Sequence, residues 1–105
     1  MGPSRKAKAV VRLLLTYCPV DYPVRIEYVR RLSWCADTHL HRGEYVVRIA
    51  VGLTPDLEAD VIAHEWAHAM AWRKSRIDHG EAWARAYSRC YRVVVDGWRP
   101  RRGGP

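Results

Sequence analysis

Thr54-Pro-Asp-Leu-Glu-Ala-Asp-Val-Ile-Ala-His-Glu-Trp-Ala-His-Ala-Met-Ala-Trp72 is the stretch around which the rest of the chain can be read. Thr54 is suited to cap a helix, and Pro55 fits the first helical position because its missing N–H would lack a partner there anyway. Asp56, Glu58 and Asp60 place negative charge in the first turns, where the helix dipole favours it. Together these signals predict a helix from Pro55 to about Trp72. Within it His64 and His68 stand four residues apart, one turn along the same face, and Glu65 follows at about 100° around the axis.

Upstream, Ser4 can cap a first helix reaching about Tyr17, with Val10, Leu13, Leu14 and Tyr17 on one face. Pro19 and Pro23 bracket a break. Val24 to Arg31 alternates, with Val24, Ile26 and Tyr28 opposite Arg25 and Glu27, as a half-buried strand does. A second strand is expected near Ser33 to Thr38, followed by a turn at His41-Arg42-Gly43. The third is expected over Glu44 to Val51, with Tyr45, Val47, Ile49 and Val51 sharing a face. Downstream, a basic connector from Arg73 to Asp78 leads to Gly80 and a last helix from Glu81 to Val95. That helix carries Trp83, Tyr87, Cys90 and Val94 on one side and Arg85, Arg89 and Arg92 on the other. Gly97 is expected to stop it, leaving a basic tail over about 98–105. The order helix, three strands, helix, helix predicts a single α+β domain spanning 1–105.

Composition narrows the possibilities. The 105 residues, 49% of them hydrophobic, support one core and leave no room for a second folded unit. Cys18, Cys35 and Cys90 are odd in number, widely spaced and form no CxxC, so neither a disulfide framework nor a zinc ribbon is expected. A reducing, cytoplasmic setting fits this usage, with Cys90 read as a small buried apolar residue. The basic residues Arg5, Lys6 and Lys8 precede an apolar run, but Arg12 interrupts it and no small-x-small cleavage site follows. No stretch is long and apolar enough to span a bilayer. Lys6 stands where a myristoylation motif needs Ser or Thr after Gly2. A formal charge of +7 is compatible with single-stranded DNA or another polyanion as partner, and equally with an ordinary solvated surface. The charge collects at Arg5/Lys6/Lys8/Arg12, Arg73/Lys74/Arg76, Arg85/Arg89/Arg92 and Arg99/Arg101/Arg102.

The chemistry lies in His64-Glu65-Trp66-Ala67-His68, an HExxH pattern. Two imidazoles one turn apart can reach the same zinc ion, and Glu65, turned away from both, can act as general base toward water at the metal. A catalytic zinc ordinarily has three protein ligands. Asp78, His79 and Glu81 are the downstream candidates. His79 is preferred, since imidazole suits zinc and Gly80 offers a sharp turn beside it. His39 and His41, near the expected hairpin turn, are read as solvated.

Val61-Ile-Ala-His-Glu-Trp-Ala-His-Ala-Met-Ala-Trp72 followed by Asp78-His-Gly-Glu-Ala-Trp83 resembles the SprT-like metallopeptidases, the family of the Spartan and Wss1 proteases, which show HExxH and then His-Gly-x-x-aromatic. The resemblance covers roughly residues 5 to 95. It implies a minimal zincin-like fold, zinc as cofactor at one ion per chain, His64, His68 and His79 as ligands, and Glu65 as catalytic base. The activity it implies is zinc-dependent hydrolysis of peptide bonds in protein substrates, with activity linked to DNA. The chain departs from the family in carrying neither the cysteine zinc ribbon usual in bacterial SprT proteins nor the recruiting segments of Spartan. The alternative reading is a nucleic-acid-binding module with a structural or degenerate zinc site. Structural zinc sites, however, are usually closed by four ligands and have no use for Glu65.

Overall fold

The structure, a computed structural model, describes residues 2–74 and 79–98, with side chains described through Asp96. It has three helices and a three-stranded sheet: α1 (Arg5–Tyr17), β1 (Val24–Val29), β2 (Ala36–His41), β3 (Glu44–Ala50), α2 (Pro55–Met70) and α3 (Glu81–Trp98). The expected α+β order is therefore present. Part of the connector (75–78) and the tail (99–105) lie outside the described residues.

Both expected caps form. Ser4 Oγ accepts from the Ala7 N–H at 3.1 Å, and Thr54 Oγ1 from the Leu57 N–H at 3.3 Å. The two helix starts are also tied to each other, since Ser4 donates to the buried Glu58 carboxylate and Lys6 pairs with Asp56. The buried face of α1 is Ala7, Val10 and Leu14, continued by Cys18. Tyr17, expected on that face, is exposed, because the 3.6-residue period carries the buried stripe on to Cys18 instead.

Residues near 30–43 fold differently from the sequence expectation. Arg42 and Gly43 both have positive φ, 50° and 73°, the signature of a type I′ two-residue hairpin turn. Such a turn takes only two residues, so His41 joins the ladder opposite Glu44 and β2 shifts three residues along, to Ala36–His41. His39 and His41 are consequently strand residues on the outer face of the sheet. β1 ends two residues early, at Val29. β3 takes the centre, antiparallel to β2 and parallel to β1, in the order β1-β3-β2.

Tyr45, Val47 and Ile49 turn inward from β3 onto the helices. Val51, expected to share that face, falls in the turn after the strand. Arg25, Glu27, Asp37, His39, Glu44 and Arg48 alternate onto the opposite face, where Arg25 pairs with Glu27 and Glu44 and Arg48 binds both Asp37 oxygens. The Arg48 guanidinium holds the Asp37 carboxyl below its usual range.

α2 is the hub, packed against β2, β3, α1 and α3. Its buried residues, among them Ala59, Ile62, Ala63, Trp66, Ala67 and Ala69, spread around most of its circumference. Trp66 sits at the centre, 1% exposed, and its indole N–H donates to the Cys18 carbonyl at 2.8 Å, joining α2 to the end of α1. Trp66→Ala should lower the unfolding free energy by about 3–5 kcal/mol, a large part of what a domain this size possesses, as read from the urea midpoint. A loss under about 1 kcal/mol would mean that the core closes over the gap, contrary to this packing.

α3 continues to Trp98, so Gly97 does not stop it. One glycine costs about 1 kcal/mol against alanine, too little to end a helix whose earlier turns are anchored by packing. Cys90 is fully buried with its thiol 3.5 Å from Met70 Sδ, and desolvation pushes the thiol far above its ordinary value, as expected of an inert core cysteine. Among the described residues no helix is long and apolar enough to cross a membrane.

Candidate metal centre

Three imidazoles converge where α2 faces the start of α3. His64 and His68 project from successive turns of α2, and His79 enters from just before Gly80 and α3. His79 Nε2 lies 3.2 Å from His64 Nε2 and 3.1 Å from His68 Nε2. Ligand atoms on all three come within 4.8 Å of one another. Two nitrogens bound at about 2.05 Å and a tetrahedral angle apart stand about 3.3 Å from each other, so the spacing fits a zinc-sized ion. The donor set fits equally well, because neutral imidazole is a preferred ligand for divalent transition metals. The structure thus brings together three histidines able to hold a metal ion. Among the described downstream candidates, His79 is the one that reaches the pair. Glu81 instead pairs with Arg85 at 2.6 Å on the exposed start of α3, and Asp78 lies outside the described residues.

The backbone turn expected at Gly80 falls on His79 itself, whose φ is 59°. A left-handed conformation at a residue with a Cβ is uncommon, and here it swings the side chain back toward α2.

Glu65 is 7% exposed and lies beside the trio without joining it; its Oε2 is 4.0 Å from His64 Nε2. Its other oxygen accepts a 2.5 Å hydrogen bond from Thr38 Oγ1, in the middle of β2. Thr38 Oγ1 also lies 3.2 Å from the Glu65 carbonyl. The strand thereby fixes the orientation of the carboxylate. No sequence signal marked Thr38, because its proximity to Glu65 depends on where β2 crosses α2.

On its other side the trio rests against aromatic rings. The Trp83 ring centre is 4.9, 5.5 and 4.6 Å from those of His64, His68 and His79, and its indole N–H donates to the His64 carbonyl at 3.3 Å. Tyr87 stacks on Trp83 at 5.2 Å and 7°, and its hydroxyl donates to Asp60 Oδ1 at 2.7 Å. Desolvation first, then the Asp60 bond, pushes the Tyr87 phenol up to about 12, so it is a donor at neutral pH. Because Asp60 holds this hydroxyl, Tyr87 acts as a brace between α3 and α2. Asp60, one turn before His64 on the same helix face, was findable by the same i,i+4 rule that paired the histidines.

A cleft of about 610 Å³ opens beside this centre, lined by residues of β2 and α2 with Trp34, Trp72 and His79. In the basic connector, Arg73 donates to the Tyr22 hydroxyl, lies over the Tyr22 ring and comes within 3.9 Å of Asp21. Comparison of the chain with protein-family models, with curated proteins and with solved structures gives no match, so the centre stands on its own geometry.

Proposed function

We propose that this chain is a zinc-dependent metallopeptidase of the SprT-like kind, with His64, His68 and His79 as ligands and Glu65 as the base. The observation that carries the reading is the convergence of three imidazole nitrogens at 3.1 and 3.2 Å beside a buried carboxylate that is not one of them. A zinc ion held there supplies Lewis acidity, polarising a scissile carbonyl and acidifying water. Glu65, held by Thr38, takes the proton from the attacking water and returns it to the leaving amine. β2 is an edge strand along the cleft, so an extended peptide can pair with its free backbone groups and present a carbonyl to the centre with little sequence selectivity.

We place a polyanionic partner, single-stranded DNA first, outside the cleft. The carboxylates that line the cleft among the described residues are Asp60 and Glu65, whereas Arg5, Lys8, Arg12 and Arg92 lie on α1 and α3.

Metal-free protein titrated with zinc should take up one ion per chain, and only the loaded protein should cleave an unfolded polypeptide. Single-stranded DNA should bind with an affinity that falls steeply as salt rises. Stoichiometric zinc without cleavage of any unfolded protein, with or without DNA, would leave the structural-zinc alternative standing.

A further inference from the structure

The cleft beside the metal centre is a trough, and its direction can be traced from contacts. Thr38, in the middle of β2, touches Glu65. Leu40, further along β2, pairs with Tyr45, whose ring meets Trp72 at 5.9 Å just past the end of α2. β2 and α2 therefore run in the same direction on either side of the trough. One end is walled by Trp34, Cys35, Asp60 and Val61, the other by His68, Trp72 and His79.

The first end carries both an open aromatic face and a negative charge. Trp34 is 81% exposed in the bend that precedes β2, with its indole presented to solvent beside the trough. Of the carboxylates beside the cleft, Asp37 points to the outer face of the sheet, where Arg48 binds it, and Glu65 is held by Thr38. Asp60 is exposed, and its one described hydrogen bond comes from the neutral Tyr87 hydroxyl, which leaves its charge in place.

We propose that Trp34 and Asp60 form a specificity subsite for an arginine side chain of the bound peptide. Arginine is the side chain that uses both walls at once. Its planar guanidinium stacks on an indole face while its N–H groups bind a carboxylate, and lysine can offer only a point charge. Trp34 precedes Thr38 by four residues, at most about 13 Å of chain, which sets the arginine within about four residues of the scissile bond. This subsite rests on the peptidase reading for its place in the reaction, but its binding preference can be measured without turnover.

The test uses zinc-loaded Glu65→Gln protein and labelled unstructured peptides identical except for Arg, Lys, norleucine or Glu at one position, scanned along the peptide. Fluorescence anisotropy should show the Arg peptide binding about tenfold more tightly than the norleucine peptide, with Lys between and Glu weakest. Trp34→Ala and Asp60→Asn, each added singly with zinc content and helical signal unchanged, should each remove most of that preference. Equal binding of the Arg and norleucine peptides, binding of none of them, or a preference that survives both substitutions would overturn the subsite. If the preference holds but the wild-type protein cleaves no peptide, the peptidase reading fails and the subsite stands. If peptides are cleaved with no arginine preference, the subsite fails and the peptidase reading stands.

Discussion

Glu65→Gln should lower peptide hydrolysis by about a thousandfold or more, within the roughly 10²–10⁴ range of general acid–base catalysis, and leave zinc at one ion per chain. The expectation follows from two features of the carboxylate. It lies beside the histidine trio without being one of the three ligands, 4.0 Å from His64 Nε2. It is also oriented by Thr38, a hydroxyl that can donate to the glutamine carbonyl as well, so the amide keeps its place and loses only its basicity. Metal analysis and a turnover assay on the same preparation separate the two effects. Loss of zinc equal to the loss of activity would put Glu65 among the ligands.

His79→Ala should weaken zinc binding by more than the roughly 10–100-fold that losing a supporting partner of a ligand costs, because it removes a ligand outright. Glu81→Ala should leave the affinity nearly unchanged, since Glu81 is exposed and paired with Arg85. Asp78→Ala should likewise keep most of it. Competition against a chromophoric chelator gives the affinities. A thermal-melt series adds a second reading, because an ion that binds only the folded chain raises the melting temperature of the wild type and should do so far less for His79→Ala. If Glu81→Ala is instead the variant that loses metal, the site is of the two-histidine, one-glutamate kind and the trio is misassigned.

What the sequence made legible was local. The start of α2 could be read because capping, a first-position proline and early acids all act within one turn, and the four-residue spacing fixed which side chains share a face. His79 was reachable as the imidazole nearest the next helix. Features set by distant segments were not legible. The parallel pairing of β1 with β3 depends on contacts between segments far apart in the chain, as Ile26 opposite Val47 illustrates. Thr38 meets Glu65 only because the Arg42-Gly43 turn fixes the register of β2, and a three-residue turn there puts the strand in the wrong place. Arg73 reads in the sequence only as one of a basic cluster, and its contacts with Asp21 and Tyr22, the latter 51 residues upstream, are set by the fold.

The left-handed backbone at His79 sets conformational preference and chemistry against each other at one position. A residue with a Cβ held at φ 59° costs on the order of 1 kcal/mol relative to one that adopts it freely, and glycine or asparagine relieves that cost. Neither replaces the imidazole. A library of variants ranked only by resistance to unfolding in the absence of metal would therefore enrich changes at this residue that silence the protein, and the same library ranked with zinc present would return the histidine.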